Sequence, residues 1–334
     1  MLSKISGLFV DLFSYTPMYV QYLIIPLILF IWLWKSKNKC KADWILKVLP
    51  SVSYMIVMLY AGSTDITIGY YTFYLLFVVV IVGAVFSLLK LKGVPFFIKK
   101  SLPGYLLYGL SITIVLIVSY MNINALRACF YGEKAVKIAF PLKNGSFIVN
   151  QGGDGDKSSM MNYHYKDAGN AAQGYNGSMR YANDIVKINS FGLSVKSFKL
   201  SLNNKDFLPA DLNEYEIFGE TVYSPCDGVV VYAQNNYKDV PVTGVKNYSD
   251  TGNGVVIYYN DVYIMMWHLK QGSITVKAGD HVTTGQPVGQ IGNSGHTVLP
   301  HLHIDASKGD WLTGTGVPIV FDGIVPIKRK LFIR

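Results

Sequence analysis

The six histidines of this chain all follow Phe140, and two of them, His301 and His303, are separated by one residue. The surrounding residues predict a β-strand over His301–Ala306. Because successive side chains of a strand point to opposite faces, His301 and His303 share a face and can converge on one ion or substrate. Imidazole nitrogen is a common zinc ligand in proteins. The pair is therefore a candidate metal or catalytic site.

Short strands rich in Val, Ile and Tyr, separated by Gly, Asn, Asp and Pro, must position these histidines. The first predicted strand is Ser146–Gln151. The others are Ala182–Ile188, Val222–Ala233, Gly254–Tyr259, Val262–His268, Pro287–Ile291 and His301–Ala306. The pair Asn260-Asp261 predicts a tight hairpin turn between two of them. We expect a mostly antiparallel β domain, a β-sandwich or open barrel, with no long amphipathic helix.

A series of short motifs follows in order between Gly252 and Ala306. They are Gly252-Asn253-Gly254, Trp267-His268-Leu269, Ala278-Gly279-Asp280, Gly285-Gln286-Pro287, Gly292-Asn293-Ser294-Gly295 and Pro300-His301-Leu302-His303. This series resembles the lysostaphin-like zinc endopeptidases of bacterial cell walls. The resemblance implies a β fold of the duplicated hybrid motif type and hydrolysis of peptide bonds in peptidoglycan.

The resemblance also implies one zinc ion per catalytic domain, with His303 and Asp184 among its ligands. The commonest pattern of the family places a histidine four residues before the aspartate, but here that residue is Arg180. Asn162-Tyr163-His164 resembles a variant in which the preceding loop supplies the histidine, which implies that His164 is the third ligand. The alternative for His164 is an ordinary surface histidine.

Two imidazoles and one carboxylate leave a fourth tetrahedral position for water, as catalytic zinc requires. No His-Glu-x-x-His motif is present to supply a glutamate base. The resemblance implies that His268 and His301 flank the zinc, activate the water and stabilise the tetrahedral oxyanion. Three further residues are candidates for substrate or oxyanion contacts, namely Tyr163, Asn293 and His296.

Apolar residues are concentrated in the first third of the chain. The mean hydropathy is +0.28, and charged residues make up 15% of the sequence, against about 25% in soluble domains. Four segments are long enough to span a bilayer, namely residues 17–34, 44–62, 70–89 and 102–123. We predict a multi-domain protein with an α-helical transmembrane domain over residues 1–123, a connector over 124–145 and the zinc peptidase domain over 146–334.

The lysines define an orientation for these four spans. Eight of them lie in the loops after the first and third spans, at Lys35, Lys37, Lys39, Lys41, Lys90, Lys92, Lys99 and Lys100. By the positive-inside rule both loops are cytoplasmic. The N-terminus and the C-terminal catalytic domain are then predicted to be extracytoplasmic, in a multi-pass protein of the bacterial cell membrane.

The partners predicted from these features are the lipid bilayer and, as substrate, peptidoglycan peptides. The net charge of +9 does not indicate nucleic acid, because the two membrane loops account for eight lysines. A partner protein in the membrane or cell wall remains open.

Two other functions also remain open. The first is a non-catalytic cell-wall adaptor or regulator with the same fold. The second is a carrier domain, because Ser224–Gly228 together with Gly279–Val282 also resembles the lipoyl and biotinyl hammerhead. A carrier requires an exposed lysine at a hairpin tip and has no use for the His301-Leu302-His303 strand.

Overall fold

The computed structural model describes residues 17–165, 177–197, 208–242 and 251–334. Within these ranges the chain divides into two compact units, one ending at Asn124 and the other beginning at Ala125. The first unit is helical and the second is built from β-strands.

The first unit consists of apolar helices. A π-helical turn, Val20–Ile24, leads into α1, Ile25–Lys35. It is followed by α2 (Lys41–Ala61), α3 (Tyr70–Leu89) and α4 (Leu102–Ala128). Three of them, α2, α3 and α4, are long and apolar enough to cross a membrane, whereas the helix Val20–Lys35 is shorter. At 1.5 Å per residue that helix is about 24 Å long, against about 30 Å of hydrocarbon. The structure thus gives three candidate spans where four were predicted.

The helices leave many apolar side chains uncovered. Ile28, Leu75 and Leu106 are among the exposed ones, which suits a lipid environment better than water. Lys47, the one lysine within the second predicted span, directs its amine to Ser36 Oγ at 2.7 Å and Asn38 Oδ1 at 2.9 Å. Its charge thereby reaches the loop before α2, as expected for a lysine near a helix end.

The second unit contains thirteen strands in the described residues. They are β1 (Val136–Ile138), β2 (Ser146–Gln151), β3 (Asn183–Ile188), β4 (Thr221–Tyr223), β5 (Gly228–Gln234), β6 (Asn253–Tyr259), β7 (Val262–Leu269), β8 (His281–Val282), β9 (Pro287–Gln290), β10 (Leu302–Lys308), β11 (Thr315–Gly316), β12 (Ile319–Phe321) and β13 (Leu331–Ile333).

Most of these strands form one large sheet. Its order is β13-β2-β3-β10-β7-β6-β5-β8, with β11 paired to β10. Two small sheets, β4-β9 and β1-β12, complete the unit, and β1-β12 is the one parallel pair among the described strands. The expectation of a mostly antiparallel β domain is therefore confirmed.

One face of the large sheet packs onto the hydrophobic core. Ile185 of β3, Ile264 of β7 and Ile304 of β10 are fully buried there, together with Val222 of β4 and Val288 of β9. Because the side chains alternate along each strand, the residues between them face the other side. That second face carries the candidate site.

Two local features differ from the predicted ones. The strand expected over Val222–Ala233 is two strands, β4 and β5, separated at Pro225, which has no N–H to donate to a ladder. The segment 124–145, expected as a connector, continues α4 to Ala128 and supplies β1 to the second unit.

The hairpin between β6 and β7 agrees with the sequence. Asn260 and Asp261 both have positive φ, at 49° and 62°. This is the conformation that a two-residue turn between twisted strands requires.

Candidate metal centre

The centre is built on the register between β3 and β10. His303 lies directly opposite Asp184 in this antiparallel pair, so their side chains emerge side by side on the same face. The distance from His303 Nδ1 to Asp184 Oδ1 is 3.1 Å, and both residues are buried. The two residues therefore form a fixed imidazole–carboxylate pair in the middle of the sheet.

His164 reaches the same carboxylate from a loop. Its Nε2 lies 2.9 Å from Asp184 Oδ2, the oxygen that His303 does not contact. The His164 and His303 rings meet edge to face with centroids 4.7 Å apart. The structure thus brings together the three residues that the sequence resemblance implied as zinc ligands.

His301 precedes β10 and lies beside this group. Its Nδ1 is 2.7 Å from the Leu299 carbonyl, which can only accept, so Nδ1 carries the proton in the neutral ring. Its Nε2 then presents a lone pair, 3.4 Å from Asp184 Oδ1.

His268 reaches the centre because of a β-bulge. Asn253 pairs with Leu269 and Gly254 with Trp267, so His268 is an extra residue in β7. Its φ is +65°, a left-handed conformation that is uncommon for any residue other than glycine. With strict alternation, the residue after Trp267 would point to the core face. The bulge instead turns the His268 side chain to the face that carries the site, as bulges commonly do. The His268 ring lies 4.8 Å from the His301 ring.

The His268 ring is held by the loop that follows β9. Its Nδ1–H donates to the Ser294 carbonyl at 2.9 Å, leaving Nε2 as an acceptor. Two glycines allow this loop to approach, since a Cβ at Gly252 would lie 2.3 Å from the Ser294 oxygen and a Cβ at Gly295 would lie 2.4 Å from the Gly252 nitrogen. Both have positive φ.

Burial and neighbouring charges displace the pKa values of the central residues. Burial alone would raise the pKa of Asp184, but its electrostatic interactions and hydrogen bonds with His164 and His301 hold it well below its usual range. Burial would lower the pKa of His303, whereas its hydrogen bond with Asp184 and the nearby Asp305 raise it to about 10. Burial lowers the pKa of His268 well below its usual value, and repulsion from His301 and His303 adds to this effect.

The donor atoms fit a metal ion. His164, Asp184 and His303 each offer one ligand atom, and these atoms lie within 4.8 Å of one another; a second such group joins His268, His301 and His303. His301 Nε2 is buried and has no hydrogen-bond partner in the described part of the chain. Several imidazole nitrogens around one carboxylate form an arrangement that a divalent cation satisfies, and two imidazoles with one carboxylate match catalytic zinc sites.

The three predicted contact residues have different surroundings. Tyr163 is 40% exposed, with its ring centroid 4.4 Å from that of His164. Asn293 is fully buried, and its side chain is bonded to the Val240 carbonyl and the Thr297 hydroxyl. His296 is exposed on the loop after Ser294 and belongs to neither donor group.

Sequence reasoning missed Asp305. This residue follows His303 by two positions on β10, so alternation places it on the same face. Its Oδ1 is buried and lies 3.6 Å from His303 Nε2, which is too long for a hydrogen bond. The spacing of two residues was the signal that could have identified it.

Part of the chain is similar to known peptidases. Residues 214–315 match the model of peptidase family M23. The chain is 37% identical over 87 residues to the peptidoglycan DD-endopeptidase ShyA of Vibrio cholerae serotype O1, covering 26% of this chain and 17% of that protein. It is 37% identical over 72 residues to lysostaphin of Staphylococcus simulans, covering 22% of this chain and 14% of that protein.

Among solved structures, the catalytic domain of lysostaphin from Staphylococcus simulans aligns with 37% of this chain and 84% of that chain. The identity is 23% and the TM-score is 0.24. The chain spans less than a quarter of the length of the curated relatives it matches. The region 214–315 contains His268, His301 and His303, while His164 and Asp184 precede it. The chain thus carries a domain of peptidase family M23, homologous to the lysostaphin-type peptidoglycan endopeptidases.

Proposed function

We propose that this protein is a membrane-anchored zinc metalloendopeptidase that hydrolyses peptide bonds in bacterial cell-wall peptidoglycan, within the stem or the cross-bridge. The observation that carries the proposal is the convergence of His164 and His303 on Asp184, with His268 and His301 beside them. One relative, which is named as a peptidoglycan DD-endopeptidase, supports the choice of substrate.

His164, Asp184 and His303 would hold one zinc ion. When bound, zinc polarises a carbonyl group and lowers the pKa of water towards neutrality. The protein's own contribution is to place two bare imidazole nitrogens, Nε2 of His268 and Nε2 of His301, next to these ligands.

His268 is suited to accept a proton. Its Nδ1–H is fixed to the Ser294 carbonyl, so the lone pair of Nε2 has one orientation. Because burial and the neighbouring histidines lower its pKa, the ring is neutral at pH 7 and available as a base. In this proposal His301, once protonated at Nε2, donates to the oxyanion that develops on the scissile carbonyl.

Three residues complete the proposed site. Tyr163 and His296 would contact the substrate from the exposed rim. Asn293 would act from within the wall, since its side chain already bonds protein atoms.

The cellular location is also part of the proposal. We infer that residues 1–123 form a membrane domain of four spans, with the N-terminus and the peptidase domain, residues 146–334, on the extracytoplasmic side. The lysine-rich loops and the apolar helices support this arrangement. It would place the catalytic domain next to the cell wall.

The direct test is zinc content together with zinc-dependent hydrolysis. The full-length protein, purified in detergent, should contain close to one zinc per chain and release peptides from cell-wall material. A chelator should abolish the release and added zinc should restore it. His303→Ala should lose both zinc and activity, whereas His281→Ala, which changes an exposed histidine of β8, should keep both.

A wild-type protein that is folded, free of zinc and inert on several wall types would contradict the proposal. A zinc-loaded but inert protein would instead favour a non-catalytic cell-wall adaptor with the same fold.

A further inference from the structure

Arg180 occupies the position at which the resembled family most often has a metal-binding histidine, and its side chain is engaged elsewhere. Its Nε and Nη2 donate to the two carboxylate oxygens of Asp154 at 2.8 and 2.9 Å. Its Nη1 donates to Glu133 at 3.1 Å, and the guanidinium lies over the ring of Tyr181. Asp154 is fully buried. A forked arginine–carboxylate pair of this kind is strong and fixes geometry.

Asp154 lies in the loop that delivers His164. The loop closes on itself where the Gly152 N–H donates to the Met161 carbonyl at 2.9 Å. The backbone of Arg180 holds it a second time, because its carbonyl accepts the Gly155 N–H at 2.9 Å. Arg180 therefore binds the start of the loop through both its side chain and its main chain.

Asn162 binds the end of the loop. It is fully buried, and its amide nitrogen lies 3.0–3.2 Å from three carbonyl oxygens, those of Gly153, Arg180 and Ala182. Its Oδ1 accepts the backbone N–H of His164 at 3.1 Å. One side chain thus connects both ends of the loop to the segment before Asp184 and holds the His164 main chain directly.

We propose that Arg180, Asp154 and Asn162 are positioning residues that fix this loop so that His164 completes the metal site in place of a ligand at position 180. The inference rests on the proposed zinc site. A ligand on a free loop would have to be ordered when the metal binds, and that entropy would be lost from the affinity. A loop ordered in advance avoids this loss. Residues that orient metal ligands typically change metal affinity by about 10–100-fold.

The test measures zinc affinity of the full-length protein in detergent by competition with a chromophoric chelator. Asn162→Ala should weaken zinc binding about tenfold or more. His164→Ala should weaken it further. The double variant should bind zinc no more weakly than His164→Ala alone, because Asn162 acts through His164.

Asn189→Ala is the matched control. Asn189 also makes four side-chain hydrogen bonds, to Val195, Glu216, Phe191 and Leu193, but it lies beyond the other end of β3 from Asp184. The Asn189→Ala variant should be less thermally stable but should bind zinc within about twofold of the wild-type affinity, since Asn189 contacts none of the proposed zinc ligands.

Arg180→Lys provides a milder variant should Asn162→Ala fail to fold. It keeps the positive charge beside Asp154 but removes the forked contact. We expect weaker zinc binding in the wild-type background and no further change in the His164→Ala background. Additive losses in the double variants, or wild-type affinity in both Asn162→Ala and Arg180→Lys, would overturn the inference.

The two proposals fail in different ways. Zinc affinity unchanged by His164→Ala would remove His164 from the proposed ligand set. A loss with His164→Ala but none with Asn162→Ala or Arg180→Lys would leave the zinc site standing and overturn the positioning role alone.

Discussion

At the scale of single residues, Asp184 is the centre of the site. Imidazole nitrogens of His164, His301 and His303 lie 2.9, 3.4 and 3.1 Å from its two oxygens. A buried carboxylate is costly without a positive partner. In the metal-free protein the positive charge comes from protonated histidine, and in our proposal zinc takes over that role.

This exchange predicts that zinc binding releases a proton. The pKa of His303 is about 10 in the metal-free protein, so the ring is protonated at pH 7 and must lose a proton to become a ligand. Calorimetric titration in buffers of different ionisation enthalpy should show about one proton released per zinc at pH 7. Around neutral pH, the apparent zinc affinity should rise about tenfold per pH unit as this proton is released.

The same pKa values set the pH dependence of the metal-free fold. His303 has a folded pKa above its unfolded value of about 6.5, so its stabilisation of the fold is complete below that pH and is lost as the pH rises through about 10.

The control for proton release on zinc binding is His281→Ala, which should release the same proton as the wild type. Zinc binding with no proton release would show that His303 is not the titrating ligand.

At the scale of elements, the bulge in β7 is the feature that the sequence did not disclose. Alternation along a strand correctly predicts that His301 and His303 share a face, because that rule depends only on spacing. The position of His268 depends on a register shift against β6 and on the approach of the Ser294 loop. Neither contact is encoded in the local sequence of β7.

The bulge predicts an unusual order of stability at position 268. A residue with a Cβ pays about 1–2 kcal/mol for a left-handed conformation, whereas glycine does not. His268→Gly should therefore unfold at a higher temperature than His268→Ala, although both lose the same hydrogen bond to Ser294. Thermal unfolding with chelator present compares the two variants without a metal contribution.

Tyr258 supplies the control pair for this comparison. It is partly exposed in β6 and has no positive φ. Tyr258→Ala should be more stable than Tyr258→Gly, as glycine weakens an ordinary strand. If His268→Ala were also more stable than His268→Gly, this result would argue against the bulge.

The loop that carries His164 shows the other limit of prediction at this scale. The motif Asn162-Tyr163-His164 indicated a ligand through a resemblance, but spacing alone could not bring His164 to Asp184, twenty residues away. Its placement depends on the buried contacts of Asp154 and Asn162 with Arg180. Such contacts between distant segments follow from the folded structure, not from a sequence pattern.

At the scale of the whole molecule, composition predicted apolar helices in the first third of the chain, and the pattern of short strands predicted the β domain after it. Apolar residues are concentrated in the first third, and this bias can be recognised without tertiary information. The number of spans was harder to predict, because Val20–Lys35 is shorter than the other helices in the described residues.

The proposed orientation predicts which residues an impermeant reagent can reach. Lys39→Cys, in a lysine-rich loop, and Lys277→Cys, exposed in the peptidase domain, can each be placed in a variant that lacks Cys40, Cys129 and Cys226. In cells with an intact cytoplasmic membrane, an impermeant maleimide should label Lys277→Cys and spare Lys39→Cys. After lysis both should react. Labelling of Lys39→Cys in intact cells would contradict the proposed topology.

The most direct test of the central claim is mass spectrometry of the fragments that the full-length protein releases from defined peptidoglycan in water enriched in oxygen-18. Hydrolysis of a peptide bond must place one oxygen from water on the new carboxyl terminus. We expect fragments that carry this label with the wild-type protein and zinc, and none with His303→Ala. Unlabelled fragments, cleavage of the glycan instead of the peptide, or equal release by His303→Ala would contradict zinc-dependent endopeptidase activity at this site.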